Sequence, residues 1–440
     1  MRSAPITALA VLLLAPYPAR GQYVQLDLGT ATRLAVANHP SIAAAEALLA
    51  EARGSVRAAR APLFPTFRMS GQVTRFQEPM IVAPLHSFQF TNPPTFNSTL
   101  IQSEWQASYA LWDGGVRSSN IRNAVAAQDM SRTEVTATMR DVVLAVSKTF
   151  LAAQTARLLD SAAVMRLAAV RAEHDRATQL FAQGRVAQIA VLRAAAALES
   201  ARATRISFSA HAQAVERSLL RLIGLQADFV SLVAIDPGAI LAPAPEAALA
   251  TAQESNSAIQ RALFAVAGAR AAQAAARGTR WPQLSLLAGL HTFGSTAGGY
   301  SGEWRAGLAV SYPILTGGAR AAEVSRADAR AEAATRQLEA VRLQVADTVD
   351  RAITAIVQAA SRREALARAV ELREEVARVE LLALENGSGV QSDYLAADSD
   401  LFRARTDLIG ATNDLITARL ELAAAMGQLT TGWLERLLEH

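Results

Sequence analysis

The sequence predicts a mixed, mainly α fold in which very long helices continue into a few membrane-spanning β-strands. Three observations lead to this prediction. The 440-residue chain is 51% apolar but only 5% aromatic, which is typical of closely packed, alanine-rich helices. Two stretches of about 70 residues contain no proline and fit single long helices. Four shorter segments alternate apolar and polar residues, the pattern of a β-strand with one apolar face.

The N-terminus has the pattern of a signal peptide covering residues 1–21. Arg2 supplies a positive charge, residues 6–14 are apolar, and Ala19-Arg20-Gly21 supplies small residues for a signal peptidase. This apolar stretch is too short to cross a bilayer core of about 30 Å as a helix. The alternative is a frayed amphipathic N-terminus. We expect cleavage near Gln22 and export of the mature chain.

Composition excludes several classes of protein. The chain has no cysteine, which excludes disulfides, thiolate metal sites, a cysteine nucleophile and a lipid-anchored N-terminal cysteine. Its 43 basic residues nearly balance 39 acidic ones, which argues against a nucleic-acid-binding protein with a dominant basic face. No later stretch reaches 18 unbroken apolar residues, so the sequence predicts no inner-membrane helix.

The chain repeats itself once. At an offset of 203 residues, Gly114-Gly115 matches Gly317-Gly318, Gly184 matches Gly387, and Gly224 matches Gly427. This period is far longer than that of a solenoid repeat. We predict a first repeat over residues 22–224, a linker over 225–245, a second repeat over 246–429 and a C-terminal tail over 430–440.

The alternating segments predict strands at about 65–78, 104–112, 282–293 and 303–313. Each has roughly the length of a tilted membrane-spanning strand. The alternative is a half-buried sheet of a soluble domain. Four strands cannot close a membrane barrel and open edges cannot face lipid, so a membrane role requires an oligomer, and three chains supply twelve strands. The loops at 79–103 and 294–302 would lie outside the cell. We predict an aromatic girdle at the strand ends, made of Trp105, Trp112, Trp281 and Trp304.

The predicted helices are too long for a globule. A helix from Gly114 to Gly184, or from Gly318 to Gly387, would be on the order of 100 Å long. Shorter helical runs precede the strands at about 41–62 and 257–280, and return arms follow the two tip glycines. A heptad ladder of leucines, with alanines three residues on, marks a closely packed seam along Leu401, Leu408, Leu415, Leu422 and Leu429, and Ala404, Ala411, Ala418 and Ala425. A helical rod without a channel is the alternative.

The duplicated architecture, the Gly-Gly pairs after the second and fourth strands, and the tip sequence Gly387…Asp393-Tyr394-Leu395 resemble the outer-membrane efflux protein (TolC) family. The resemblance covers essentially the whole mature chain. It implies a homotrimer with a twelve-stranded barrel in outer-membrane lipid, continuous with a twelve-helix barrel across the periplasm. It also implies a periplasmic adaptor and an inner-membrane pump as partners.

The hairpin tips are the predicted periplasmic aperture. Three copies of Asp393 would form an acidic ring that binds multivalent cations, and Arg185 is a candidate partner for it. The alternative for Asp393 is a helix N-terminal charge that is favourable against the helix dipole. The family pattern is absent at Ala190 and Ala396, where acidic residues are common in the family. It is also absent at Gly389 and Leu384, where some relatives carry an arginine and a tyrosine that help lock the closed tips. The predicted tip residues are Gly184, Arg185, Gly387, Gly389, Asp393 and Asp400.

Two functions compete at this stage. The first is a passive exit duct of a tripartite efflux or type I secretion system. The second is a periplasmic or surface coiled-coil scaffold without a pore, which would have no reason for four membrane-length amphipathic strands. No nucleotide, zinc-protease or serine-hydrolase motif is present, and the six histidines are dispersed. We therefore predict no catalytic, cofactor-binding or metal-binding residue, and the sequence does not identify the cargo.

Overall fold

A computed structural model of the chain describes residues 24–82, 91, 96–226, 230–235, 242–296, 298 and 300–438. The predicted signal peptide lies outside these residues, as does most of the connection between the first two long strands.

The two halves of the chain have the same order of elements. The first half contains β1 (Val24–Leu26), α1 (Leu28–Asn38), α2 (Pro40–Arg60), β2 (Thr66–Ile81), β3 (Phe96–Trp112), α3 (Val116–Ala182) and α4 (Gln188–Ile223). The second half contains β4 (Val230–Leu232), α5 (Pro245–Ser255), α6 (Ser257–Gly278), β5 (Gln283–Ser295), β6 (Tyr300–Ser311), α7 (Ala319–Glu385) and α8 (Gln391–Ala425), and α9 (Thr431–Leu438) follows.

Helices α3 and α7 have 67 residues each and span about 100 Å. Each begins after a glycine pair whose backbone is left-handed, with φ of +83° at Gly115 and +84° at Gly318. Glycine adopts this conformation without the steric cost that a side chain would add. The predicted long helices and their return arms are therefore present, within a few residues of the predicted ends.

The helices form one open layer. Helix α3 packs against α2 and α4 on one side and against α6 and α8 on the other, and α7 packs against α6 and α8. The layer therefore has α2 and α4 at one edge and α7 at the opposite edge.

Part of the predicted leucine and alanine ladder lies in the seam between α7 and α8. Leu415, Ala418 and Leu422 of α8 pack in one buried cluster with Val349 and Ile356 of α7. Small residues at every second position of such a seam let the two helices approach closely.

The four long strands form an antiparallel sheet in the order β2-β3-β5-β6, which is also open at both edges. The strands have 16, 17, 13 and 12 residues, and at the ends away from the helices they extend beyond the predicted bounds. Much of the predicted loop at 79–103 is strand, because β2 continues to Ile81 and β3 begins at Phe96. The loop predicted at 294–302 is shorter in the structure, because β5 ends at Ser295 and β6 begins at Tyr300.

The predicted position of the tryptophans at strand ends is wrong for two of the four. Trp112 is the last residue of β3, and Trp281 lies two residues before β5, where their rings meet edge to face at 6.1 Å. Trp105 and Trp304 lie inside β3 and β6 and belong to one cross-strand row with Leu290 between them. The sequence-based strands were too short because their outer parts carry fewer apolar residues.

Small elements pack on one side of the helical layer near its middle. Strand β4 lies in the predicted linker and pairs in parallel with β1, and α9 occupies most of the predicted tail. Leu26, Leu28 and Leu434 from these small elements are buried in one cluster with Phe150 of α3 and Leu420 of α8.

Among the described residues, one helix is long and apolar enough to cross a membrane by length and composition. This is α3, and its qualifying stretch has a mean hydropathy of 1.3 and is 44% buried within the chain. Because α3 has helices on both sides in the layer, we interpret it as a packed helix of that layer.

Candidate functional site

Each hairpin tip is closed by the same backbone motif. The N–H of Gly184 donates to the carbonyl of Phe181 at 2.8 Å, and the N–H of Arg185 donates to that of Leu180 at 2.9 Å. Gly387 and Ser388 make the equivalent bonds to Leu384 and Ala383 at 3.2 and 2.9 Å. These are Schellman motifs, which need a left-handed residue after the helix, and Gly184 and Gly387 supply it with φ of +70° and +77°.

Gly389 is required for a different reason. A Cβ atom at this position would lie 2.7 Å from the backbone nitrogen of Leu384 and 2.9 Å from the Cβ of Ala383. Its N–H also donates to the Ala383 carbonyl at 2.9 Å. The second tip is therefore folded back onto the end of α7, and a side chain larger than that of glycine would not fit this turn.

A cleft of about 760 Å³ separates the two tips. Arg185, Ile189 and Arg193 line it from the first hairpin, and Val390 and Gln391 line it from the second. The described ion pairs do not include one between Arg185 and Asp393, so the predicted partnership does not occur within one chain.

Above the tips, α3 and α8 meet through buried polar side chains. Glu173 is only 4% exposed, and its two carboxylate oxygens accept hydrogen bonds from Arg176 at 2.8 and 3.3 Å. Gln391 donates to the same carboxylate at 2.7 Å. Burial raises the pKa of the neighbouring Tyr394 hydroxyl, and the Asp398 and Glu173 carboxylates act in the same direction.

Two helical turns further from the tips, Arg166 of α3 faces Asp398 of α8. The guanidinium Nε and the carboxylate Oδ2 are 3.4 Å apart, and both side chains are about one-sixth exposed. The guanidinium also lies over the Phe402 ring, 4.7 Å from its centre. Burial raises the pKa of the Asp398 carboxyl group, while Arg166 acts to lower it.

Unsatisfied polar atoms concentrate on these two helices. All six buried side-chain atoms without a hydrogen-bond partner among the described residues belong to α3 or α8. A buried polar atom without a partner costs about 1–3 kcal/mol. They are Nε of Arg140 and Arg166, Oδ1 of Asp160 and Asn413, Oε1 of Gln391 and Oδ2 of Asp398. Of these, Arg166 Nε and Asp398 Oδ2 form the ion pair described above at 3.4 Å, without the geometry of a hydrogen bond.

The sequence prediction paired Asp393 with Asp400 on one helical face, and the two have different surroundings. Asp393 is exposed in the first turn of α8, and its carboxylate accepts from Ser392 at 3.2 Å. Asp400 is bound by Arg373 of α7 at 2.5 Å. Asp400 therefore ties the second hairpin together.

The sequence analysis missed the length of the acidic pattern on α8. Acidic residues recur every seven positions, at Asp393, Asp400, Asp407, Asp414 and Glu421. Ile416 and Leu420 pack toward α1 and α9, and the acidic row lies on another side of the helix. Basic residues bind three of the five. Arg373 contacts Asp400, Arg362 contacts Asp414, and Lys148 contacts Glu421.

The sheet has one apolar and one polar face. Phe67 and Trp304 on the apolar face are 80% and 77% exposed. The register gives the same face to a set of other large apolar residues, namely Met69, Val73, Trp105, Leu286, Leu290, Leu308 and Val310. A broad exposed apolar surface is unusual in water and is typical of the lipid face of a membrane barrel.

No cluster of three or more histidine, cysteine, aspartate or glutamate residues in the described part of the chain could hold a metal ion. The polar features of the site are ion pairs and hydrogen bonds between helices. These contacts hold the helical hairpins against each other.

Comparison with known proteins agrees with this architecture. Solved structures match almost the whole fold at low sequence identity. CusC, from a study of transmembrane channel formation, matches with a TM-score of 0.80 at 17% identity, over 94% of this chain and 95% of CusC. The outer membrane protein VceC of Vibrio cholerae matches with a TM-score of 0.76 at 18% identity, over 91% and 96%. The open state of the outer membrane channel MtrE of Neisseria gonorrhoeae matches with a TM-score of 0.76 at 20% identity, over 92% and 90%.

Comparison with curated proteins gives no match. The model of the outer membrane efflux protein family matches residues 31–225 and 248–428, which are most of the two predicted repeats. The chain therefore belongs to the outer membrane efflux protein family.

Proposed function

We propose that three copies of this chain form a passive exit duct, with the β-sheets in the outer membrane and the helices extending through the periplasm. A periplasmic adaptor and an inner-membrane pump would deliver cargo and energy to it, in a tripartite efflux or type I secretion system.

One observation carries this proposal: the helical layer and the sheet are both open, and their free edges coincide. Helix α2 runs directly into β2, so α2, α4 and β2 share one edge. Strand β6 runs directly into α7, so these two share the other edge. A head-to-tail contact between different surfaces forms a closed ring when its rotation is a fraction of a full turn. Closing both layers at once removes the unpaired strand edges that lipid does not tolerate.

Exposed apolar residues on the two helical edges support the same contact. Ile206 on α4 is 66% exposed, and Leu343 and Leu372 on α7 are 73% and 70% exposed. Val376 and Val379, 45% and 48% exposed, continue from Leu372 at helical spacing, and a contiguous exposed apolar stripe is typical of a protein–protein contact.

The glycine pairs of the two repeats also support a contact between adjacent copies. Gly114 touches Gly278 at the end of α6 so closely that a Cβ atom on Gly114 would lie 2.4 Å from the Gly278 carbonyl oxygen. Gly317, the equivalent residue of the second repeat, has nothing within 4 Å. By the internal repeat, its missing neighbour would be the end of α2 in an adjacent copy.

The tips are the proposed aperture. They are the far ends of helices whose other ends continue into the sheet, so a small change in helix crossing moves them furthest. The seam between α3 and α8 holds three of the unsatisfied polar atoms, those of Arg166, Gln391 and Asp398, which water would satisfy if the hairpins separated. Asp393 is exposed beside this seam and is the proposed cation-binding residue of the mouth.

Cross-linking of the free edges tests the ring. The chain has no cysteine, so Ile206→Cys on α4 can be combined with Val357→Cys on α7, and Leu192→Cys on α4 with Leu372→Cys on α7. By the internal repeat, these pairs correspond to the heights at which α8 faces α3 within one chain. We expect at least one pair to give a covalent trimer in outer-membrane fractions, and a heat-modifiable trimer band without cross-linking. Each single-cysteine chain is the control. A chain that purifies as a water-soluble monomer without detergent would contradict the proposal.

A further inference from the structure

The polar face of the sheet carries its charges in a narrow zone. Over the paired parts of the four strands, the register assigns five ionisable side chains to this face. Arg68 and Arg305 share one cross-strand row, with Gln106 and Gly289 between them. Glu104, His291 and Glu303 belong to the next row of the same face. We name these five residues the charged belt.

The remaining rows of this face are uncharged in the described pairing. Toward the helices they contain Thr66, Ser108, Leu287, Gly307, Ala110, Ser285 and Ala309, and toward the other end they contain Gln72, Gln102, Phe293, Ser301, Thr74, Leu100 and Ser295. The charges are therefore concentrated in two adjacent rows instead of being spread along the strands.

An ion pair crosses the intervening strand within the belt. Arg305 of β6 donates to Glu104 of β3 at 2.8 Å, although β5 lies between them. Gly289 makes this possible, because a Cβ atom there would lie 3.3 Å from the Nε of Arg305. The arginine thus lies across the glycine and along the sheet.

In the proposed trimer this belt lies in a narrow part of the duct. Twelve strands spaced about 4.8 Å apart and tilted by about 40° give a barrel roughly 24 Å in diameter between backbones. Arginine and glutamate side chains on its inner wall carry their charges to within about one Debye length, ~8 Å, of the axis. Any ion passing through would therefore experience their potential.

We propose that the charged belt is a charge-balanced constriction that lets water-soluble cargo of either charge sign pass. Each chain contributes two arginines and two glutamates to it, so their formal charges cancel when His291 is neutral. The pair of Glu104 with Arg305 keeps the opposite charges close together, which shortens the range of their fields. This inference rests on the proposed trimeric duct and adds to it the charge class of the cargo.

Thiol chemistry on single-cysteine variants reads the local potential directly. Gln106→Cys places the reporter thiol between the two arginines of the row. Anionic and cationic methanethiosulfonate reagents are added from outside the cell, so they reach the sheet without crossing the hairpin tips. We expect both reagents to react, with a rate ratio within about twofold of that at Ser285→Cys, a same-face control outside the belt. Leu308→Cys, on the apolar face, should react with neither charged reagent.

Neutralising either member of the ion pair should unbalance the belt in opposite directions. Adding Glu104→Gln to Gln106→Cys should raise the ratio of anionic to cationic reagent rates by about threefold, and adding Arg305→Gln should lower it by about threefold. Both changes together should restore the original ratio. The same substitutions combined with Ser285→Cys should have little effect.

Assembly is scored separately by the heat-modifiable trimer band. If Glu104→Gln and Arg305→Gln left the ratio of anionic to cationic reaction rates unchanged in an intact trimer, the proposed role of the charged belt would be refuted. A Gln106→Cys thiol that reacts with neither charged reagent would refute it as well. Loss of the trimer already in the cysteine-free chain would instead refute the proposed duct, so the two failures are distinguishable.

Discussion

The buried pair of Arg166 and Asp398 should hold the two hairpins together only while both partners are present. Replacing Asp398 by leucine leaves a buried guanidinium without its counter-charge, and Arg166→Met leaves a buried carboxylate. Breaking one partner of a buried ion pair typically costs 3–5 kcal/mol. Because the Nε–Oδ2 distance is 3.4 Å and both side chains keep about one-sixth exposure, we expect about 3 kcal/mol for each single change.

The double variant Arg166→Met/Asp398→Leu should be within about 1 kcal/mol of the wild type, because an apolar pair of similar size needs no counter-charge. Hydrogen–deuterium exchange of the first half of α8 is the assay, since it reports local opening of the seam. A cost of 3 kcal/mol corresponds to roughly 100-fold faster exchange in each single variant. Single effects that add up in the double variant would refute the coupling between these two residues.

The same carboxyl group gives the seam a pH dependence of known sign. Burial raises the pKa of Asp398 above its ordinary value of 3.8, so the folded state binds this proton more tightly than the unfolded state does. The stabilisation from protonation is complete below the unfolded pKa and is lost as the pH rises through the folded pKa. A protonated carboxyl group still offers the Arg166 guanidinium an oxygen acceptor, which leucine at this position does not. Protection of α8, corrected for intrinsic exchange rates, should therefore increase on mild acidification in the wild type, and this component should be absent in Asp398→Asn.

Four further variants test the close contact between Gly114 and Gly278 and the two hairpin tips. Gly114→Ala should prevent trimer assembly because its Cβ would lie 2.4 Å from the Gly278 carbonyl oxygen, whereas Gly184→Ala, with nothing within 4 Å, should cost only about 1–2 kcal/mol for a left-handed alanine and still assemble. Gly389→Ala should increase protease cleavage at the second tip without lowering the amount of trimer, and unchanged cleavage would show that the turn tolerates a side chain. Asp393→Ala should leave trimers intact and weaken the block of single-channel current by multivalent cations added on the periplasmic side. Equal block in wild type and variant would exclude Asp393 as the cation site.

The lengths and the pairing of the long helices were already determined by the sequence. Proline-free stretches between glycines can form one uninterrupted hydrogen-bonded helix, and Gly184 and Gly387 provide the left-handed residue that ends it. The internal repeat followed from fixed glycine spacings, and the family resemblance rested on that order. These signals are local, or they repeat at a fixed distance, so one sequence is enough to see them.

The strand ends and the positions of the tryptophans needed the structure. The outer parts of β2 and β3 contain residues such as Thr74, Thr99 and Asn97, which keep their strand conformation only because a neighbouring strand binds their backbone groups. The small elements around β1, β4 and α9 were missed for a related reason. They are too short to be stable alone, and packing around Phe150 stabilises them.

Some features of the candidate site were also predictable from the sequence, and others needed the structure. Sequence alone gave the tip glycines and the exposed Asp393, because turn chemistry and helix starts are read from neighbouring residues. It could not show that Asp400 is bound by Arg373, that Gly389 is packed against Ala383, or that Arg305 crosses Gly289 to reach Glu104. Glu104 and Arg305 lie 201 residues apart in the chain, and only the pairing of β3, β5 and β6 brings them together. Contacts of this kind depend on the register between distant strands and helices, which is decided by tertiary packing.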